Sequence, residues 1–487
     1  MVAGRTLASV WAAKAAAAAS RALGRGGGTA IGGLVGLQLQ PGLVRELARG
    51  LGQSCVLVTG TNGKTTTARL ISETARAAGL QPLANASGSN LMRGIASSLA
   101  LAAGPDGRLR DDERRIGVFE VDEATLPVAL QELRPRLAIF TNLFRDQLDR
   151  YGEVDAVAAR WRAALAGAPD DPSPGSGRSL RLVLNADDPT VASLGDGREH
   201  VTYFGVDDAK LDRGSIEHAS DALSCTACGA RLEYDAVYFG HVGAWRCPAC
   251  GRRRPELDVI AAQIDLRDGR SVRFRLRLPR RQAGAPGRRP GQPSGDSWVE
   301  MGLGGLYNVY NALAALAAAS ALGLPAAAAA TALASTGAAF GRQEAFAVDG
   351  RRVEVFLGKN PAGLNQVLAT LLLDPARRTA LFILNDGIAD GRDVSWVWDA
   401  DFEAAARRFE AVVVSGTRAA DLALRLKYAG WDEATLRVEP DVGRALDAAL
   451  AATPPTRCLS VVPTYTAMLS VREMLARRAG RAPFWRQ

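Results

Sequence analysis

Lysine is nearly missing from this 487-residue chain: Lys14, Lys64, Lys210, Lys359 and Lys427 are its five, and arginine carries most of the formal charge of +8. A lysine inside a motif therefore stands out. Histidine is scarcer still, and His200, His218 and His241 have no cysteine beside them in motif context, so no cysteine–histidine hydrolase centre is legible. Six cysteines in so long a chain make no disulfide framework, and four of them fall in one tight cluster, which points to a metal in a reducing compartment. No apolar run is long enough to span a bilayer. The alanine-rich stretch Leu7–Leu23 is interrupted by Lys14, as a signal-peptide core would not be; it is expected to form an amphipathic helix that packs on the body or touches a surface of a cytoplasmic protein. With 47% hydrophobic and 23% charged residues the chain is neither disordered nor collagen-like. At ~150 residues per domain its length suggests roughly three domains. The basic excess, 59 residues against 51 acidic, suits nucleotides or lipid head groups and does not require nucleic acid.

Short apolar runs alternate with helical stretches. Strands are expected over Ser54–Val58, Arg115–Val121, Leu137–Phe140 and Leu180–Leu184, with helices over Thr65–Gly79 and Ala156–Ala166, the pattern of a doubly wound, mostly parallel sheet. Pro169–Arg178 and the longer Arg280–Ser297 read as low-complexity surface loops, and Asn308–Leu322 and Ala326–Ser335 as alanine-rich helices. From Arg351 the alternation restarts. Strands are expected over Val353–Leu357, Thr379–Leu384, Ala411–Ser415 and Cys458–Pro463, and helices over Leu364–Leu372, Asp401–Arg408, Arg418–Ala429 and Val442–Ala452. The domains expected are an N-terminal helical segment (1–39), a central domain (40–345) and a C-terminal α/β domain (346–487).

The strongest motif is Gly60-Thr61-Asn62-Gly63-Lys64-Thr65-Thr66-Thr67, where an apolar strand feeds a glycine turn that opens a helix. Backbone N–H groups in such a turn can wrap a phosphate chain, Lys64 can reach the outer phosphates, and the Thr65 hydroxyl can hold Mg²⁺. The strict P-loop pattern wants glycine at Val58, so this is the shorter GTNGKT form. Glu120, Asp122 and Glu123 close the next strand, where carboxylates face the phosphate crevice of an open α/β sheet. Cys225-x-x-Cys228 and, eighteen residues on, Cys247-x-x-Cys250 have the spacing of a four-thiolate zinc site with every position filled, so the metal is structural, in an insertion of about 221–256. Cys55 and Cys458 lie in apolar strands and read as core. Trp396 and Trp398 are β-spaced, for a core or an interface.

GTNGKTTT, the FEVDE strand end, Thr141-Asn142 with Asp146-Gln147-Leu148-Asp149, Leu184-Asn-Ala-Asp187-Asp188-Pro189, Asn308-x-x-Asn311 and Gly341-Arg342-Gln343-Glu344 together resemble the Mur ligase family over roughly residues 40–345. The resemblance implies a P-loop central domain with an inserted zinc ribbon and a C-terminal doubly wound domain. It implies an ATP-dependent ligase that phosphorylates a carboxylate and lets an amine displace the phosphate, with Lys64 and Glu120 as catalytic groups. ATP would be bound by Gly60 to Thr66, by Asn308 and Asn311 at the adenine and by Arg342 near ribose or phosphates, and Mg²⁺ by Thr65 and Glu120. The logic is physical too: a carboxylate is inert to amines near neutral pH, and two approaching anions need cations between them.

Departures narrow the branch. The P-loop arrives by Gly60, which is expected to leave no room for a uridine-nucleotide domain, and Gln147 stands where the family has a histidine, which puts a second metal ion there in doubt. Lys359-Asn360-Pro361-Ala362-Gly363 and Asn385-Asp386-Gly-Ile-Ala-Asp390-Gly-Arg-Asp393-Val-Ser-Trp396-Val-Trp398-Asp399 are similar to the family's amidating branch. That likeness implies amidation of the D-glutamate α-carboxylate of the lipid II stem peptide at the inner face of the membrane. Ammonia would come from a separate GatD-type glutaminase subunit, to whose Cys–His pair Asp393 lends the acid. From the bare sequence Asp393 reads equally as a turn-forming aspartate. The alternatives are an amino-acid-adding ligase of Mur or folylpolyglutamate type, and a zinc-ribbon ATPase that binds nucleic acid through Arg252-Arg253-Arg254; the order of the ligase elements speaks against the latter, and no nucleic acid is expected.

Overall fold

The structure, a computed structural model, describes residues 2–23, 30–85, 88–110, 112–146, 153–167, 179–217, 220–278, 295–337 and 342–480. The loop expected at Pro169–Arg178 lies outside these residues, as does most of that at Arg280–Ser297, although Gly295–Met301 is an edge strand.

Two sheets organise the chain. The first has nine strands in the order Gly295–Met301, Val272–Leu278, Val259–Asp265, Val201–Val206, Arg181–Asn185, Leu137–Phe140, Cys55–Thr59, Arg115–Glu120 and Gln81–Ala84. Its pairings are parallel from Gln81–Ala84 as far as Val259–Asp265, and the last two are antiparallel. Strand Cys55–Thr59 is buried at all five positions and is flanked by strands that follow it in opposite directions across the sheet. Its C-terminal end is therefore a topological switch point, where open α/β sheets form their crevice. Apolar clusters cover both faces, one built around the alanine-rich helix Leu306–Leu322 and the other around helices Met92–Ala102 and Leu126–Leu133.

The second sheet has six strands in the order Arg342–Val348, Arg351–Phe356, Cys458–Pro463, Thr379–Ile383, Ala411–Ser415 and Leu436–Val438, parallel except for the first hairpin. Helix Pro361–Leu372 starts where Asn360 caps it, its side chain accepting from Gly363 N at 2.8 Å with proline at the first helical position. The helix expected over Asp401–Arg408 is only a 3₁₀ turn, Phe402–Ala405, because Phe402 is drawn into the core beside Phe382 and Trp431. Trp396 and Trp398 sit on another 3₁₀ turn, Ser395–Asp399, rather than on a strand.

The N-terminal stretch is helical over Val2–Ala22, as expected, and a second helix, Ile31–Leu39, follows it. The second one is inside out. Gly32, Gly33 and Gly36 face the body while Ile31, Leu34 and Leu39 face outward. A Cβ on Gly33 would lie 1.7 Å from the Arg93 carbonyl oxygen, so only glycine lets this helix rest on Met92–Ala102. No helix among the described residues is long and apolar enough to cross a membrane.

Candidate active site

The turn after Cys55–Thr59 has the shape its sequence promises. Gly63 adopts φ 89° at the N-terminus of helix Lys64–Ala77, and a Cβ there would stand 2.1 Å from Asn311 Oδ1. The opposite wall is pinned by side chains: Asn142 Oδ1 accepts from Asn62 N at 2.9 Å, and Thr141 Oγ1 donates to Asn62 O at 2.7 Å. Thr61 Oγ1 donates to Phe144 O at 3.0 Å and accepts from Phe144 N at 2.9 Å. The free amides of the first helical turn thus face a cradle held open from both sides, which suits a phosphate chain.

Lys64 is buried, donating to the carbonyls of Gly60 and Thr61 and to Glu123 Oε1 at 2.9 Å. Burial disfavours its charge, but Glu123 and then Glu120 outweigh that and raise its pKa above the usual lysine value. Glu123 is also buried, and desolvation raises its pKa against the pull of Lys64. Thr65 Oγ1 donates to Glu120 Oε2 at 2.7 Å. Glu120 is set by Asn85, whose Oδ1 accepts from Glu120 N and whose Nδ2 donates to Glu120 O, both at 2.9 Å. A hydroxyl and a carboxylate oxygen side by side at the P-loop are hard oxygen donors of the kind Mg²⁺ takes.

Of the expected adenine pair, Asn311 Nδ2 donates to Asn308 Oδ1 at 3.0 Å, Asn308 Nδ2 to Gly304 O at 2.8 Å, and Thr67 Oγ1 to Asn311 Oδ1 at 3.4 Å. An open cleft of about 830 Å³ lies over Asn311, lined by Asn62, Thr66, Tyr307 and Asn311 on one side and by Phe356 and Gln366 of the second sheet's layer on the other, while Asn308 lines the neighbouring groove with Thr65 and Glu120. Arg342 opens the strand Arg342–Val348, but its side chain lies outside the described residues, as does Gln147.

The C-terminal domain closes on the P-loop directly. Asn360 Nδ2 donates to Asn62 Oδ1 at 3.2 Å, and Lys359 pairs with buried Asp146. Asp146 Oδ1 is buried without a hydrogen-bond partner among the described residues. Glu344 takes a two-pronged contact from Arg472, at 2.6 and 3.0 Å, and Arg270 reaches Asp374 at 3.0 Å. Glu123, Asn85 and Lys359 join the site without a role assigned to them individually by the sequence. Glu123 and Lys359 stand within quoted motifs, but nothing local in the sequence marks Asn85.

The four cysteines come together as expected: their sulfurs lie within 4.8 Å of one another, with Cys225–Cys250 at 3.7 Å and Cys228–Cys247 at 3.5 Å. Tetrahedral zinc with Zn–S near 2.3 Å sets sulfurs about 3.8 Å apart, so the cluster fits zinc. Backbone amides, that of Cys250 foremost, hold the Cys247 thiol down at about 6. The hairpin Glu233–Phe239 with Val242–Arg246 carries the ribbon. Arg254 locks it to the body by donating to Asp187 Oδ1 at 2.9 Å, while Tyr310 donates to Asp187 Oδ2 at 2.6 Å. With Arg252 on Asp196 at 2.5 Å, two of the three arginines that a nucleic acid would need are already engaged. Cys55 and Cys458 are core, and burial pushes their thiols up to about 12 and about 11.

Asp393 is exposed on the loop after Thr379–Ile383. Its Oδ1 accepts from Ser395 N at 2.8 Å, and that partner keeps its carboxyl below the usual range. Beyond it Trp398 is 47% exposed, with Tyr428 tilted against it at 5.9 Å.

A phosphate-binding turn at the switch point of a largely parallel sheet, a lysine among carboxylates and a second α/β domain closing on both define a Mur ligase. A family model described as the Mur ligase middle domain matches residues 58–241, and one described as the MurT ligase C-terminal matches residues 357–468. A pseudomurein peptide ligase type C from Methanothermus fervidus superposes with a TM-score of 0.63 at 21% identity, covering 87% of this chain and 78% of that one. MurF ligase from Thermotoga maritima in complex with ADP gives 0.60 at 13% identity, covering 91% and 84%. These two likenesses show the fold. The lipid II isoglutaminyl synthase (glutamine-hydrolyzing) subunit MurT of Staphylococcus aureus (strain COL) is 31% identical over 469 residues, covering 96% of each chain. The protein of that name from Streptococcus pneumoniae (strain ATCC BAA-255 / R6) is 31% identical over 455 residues, covering 93% of each. The chain belongs to the MurT family of Mur ligases, and so is an ATP-dependent ligase.

Proposed function

We propose that this chain is the ligase subunit of a lipid II isoglutaminyl synthase: it spends ATP to activate the D-glutamate α-carboxylate of the stem peptide as an acyl-phosphate, which ammonia converts to the amide. The observation that carries the chemistry is the Thr65–Glu120 contact of 2.7 Å beside buried Lys64, on the P-loop helix whose Thr66 lines the cleft walled by both domains. The nine-stranded part of the chain, from about residue 40, forms the ATP-binding body, and the six-stranded part, from strand Arg342–Val348 onward, is the domain that meets the partner.

Amides of the Gly60–Thr66 turn receive the phosphates. Lys64 now spends its donors on two carbonyls and Glu123, so nucleotide binding must redirect it from at least one carbonyl to a phosphate oxygen. Thr65 and Glu120 would hold Mg²⁺, which when bound cancels charge between the phosphates and the incoming carboxylate. Lys359, tethered to Asp146 across the cleft, is a second cation for the carboxylate, and Asn308 and Asn311 face the adenine. The apolar wall at Phe356 keeps water from the acyl-phosphate.

On this reading the ammonia comes from a GatD-type glutaminase subunit, in keeping with relatives that are named as subunits. The ionised, exposed Asp393 is free to orient an imidazole on that partner, with Trp398 beside it for the interface. The test is co-expression with such a glutaminase and an ATP-dependent assay on lipid II with glutamine or ammonium. Amide from glutamine only when both proteins are present is the expected result. ATP hydrolysis without amide from either donor refutes the reading in favour of an amino-acid-adding ligase.

A further inference from the structure

We infer that the outward face of helix Ile31–Leu39 docks this chain on an anionic lipid bilayer. The helix reverses the ordinary order of a surface helix. Ile31, Leu34 and Leu39 are 40%, 38% and 44% exposed, while the three glycines are buried. Positions 31, 34, 35 and 38 recur at helical spacing, so Ile31, Leu34 and Val35 make one apolar stripe that ends in Gln38 and Leu39. Three glycines in a nine-residue helix cost it roughly 1 kcal/mol each relative to alanine, so packing on Met92–Ala102 rather than propensity holds it in place. An outward apolar stripe on a helix fixed in that way is a surface made for something other than water.

Charge selects the occupant. No acidic residue precedes Glu46, while Arg5, Lys14, Arg21, Arg25 and Arg45 do. Exposed Arg5 stands at the end of the stripe, its Nε donating to Leu39 O at 2.9 Å, and the first acid, Glu46, is neutralised by Arg49 at 2.9 Å. Arg45 is taken up by Glu132 at 2.8 Å, but a short apolar face in a segment that carries cations and no acid before Glu46 is the pattern of a helix that lies in the headgroup layer of an anionic membrane. The stripe also adjoins an entry route. Helix Met92–Ala102 forms one wall of an open groove lined by Leu83, Asn85, Ser97 and Leu101, and Asn85 is the residue that sets Glu120. Docking would thus present the groove to a carboxylate tethered to the same membrane, a benefit that rests on the function proposed above.

The experiment is co-sedimentation of the full chain with vesicles of phosphatidylglycerol and phosphatidylcholine, and with phosphatidylcholine alone, without nucleotide. Binding to the anionic vesicles that weakens with salt, and that Leu34→Glu lowers on the order of tenfold or more, is expected. Leu34→Glu should leave amidation of a soluble, lipid-free stem-peptide substrate unchanged. If Leu34→Glu melts early, Ile31→Gln at the other end of the stripe reads the same effect. Equal binding by a folded variant, equal binding to zwitterionic vesicles, or a lipid-free dimer that the substitution dissociates would each overturn the inference, the last by giving the stripe to a second copy. Vesicle binding without amidation of the soluble substrate would refute the reaction and leave the docking standing.

Discussion

Lys64→Ala is expected to do more than stop the reaction. Removing a charge contact of this kind costs on the order of 10²–10³ in rate, and the structure adds a consequence for stability. Lys64 and Glu123 are both buried, and Glu120 and Asp146 also act on the ammonium, so its loss leaves an acidic pocket without its central cation. Breaking a buried pair from one side costs about 3–5 kcal/mol if the remaining group stays charged. Glu123 has an escape, because it can take a proton. Its folded pKa is already raised by burial, so the stability it contributes is present below its unfolded value and lost as pH rises through the folded one. Lys64 limits that loss in the intact protein, and without it the folded pKa climbs further. Near pH 8 the variant should melt about 6–20 °C below the parent, at about 2–4 °C per kcal/mol. Near pH 5 the deficit should shrink to what an emptied lysine stem costs, about 1–2 kcal/mol. Adding Glu123→Gln should flatten the dependence. Thermal melts of the parent, Lys64→Ala and the double variant from about pH 5 to about pH 8 decide the matter; a constant offset across that range would refute the buried-pair reasoning.

Asp393→Asn should abolish glutamine-dependent amidation while ammonium still supports turnover, since the residue stands far from the P-loop in sequence and on an exposed loop; equal loss with both nitrogen donors would place it in the ligase site or in folding. Metal analysis should return about one zinc per chain, and a strong chelator should lower the melting temperature; iron, or no metal, would overturn the ribbon assignment. Tyr310→Phe removes the 2.6 Å donor from buried Asp187 and should cost about 1.5–3 kcal/mol with little change in the KM for ATP, as read by denaturant melts and steady-state assays.

Signals that are local in the chain were legible in the sequence. The P-loop strand, turn and helix, the Glu120 strand end and the two cysteine knuckles each combine residue type with short spacing, and the structure places all of them within a residue or two. What escaped depends on distant partners. Asn85 becomes a site residue only because strand Gln81–Ala84 pairs beside Glu120, and neither its type nor its neighbours announce that. Asp187 and Asp188 stand in a quoted motif, yet Asp187 anchors the ribbon through Arg254, a pairing that spans 67 positions. Asp188 caps the short helix that follows it, accepting from Thr190 N and Val191 N. The expected helix at Asp401–Arg408 failed for the same reason, since a single Phe402 drawn into an aromatic cluster overrode a helical pattern.

The pairing of Lys359 with Asp146 makes the seam between the two domains chemically addressable. With five lysines in the chain, amine-reactive footprinting yields a map of few peaks, and Lys359 is the amine that reaches across that seam. Its labelling rate is a direct gauge of how far the domains stand apart: slow while the ammonium sits on Asp146, fast when the cleft gapes, and altered again when nucleotide fills the space between them. Peptide mass spectrometry of the labelled protein can therefore follow opening and closing without any engineered probe.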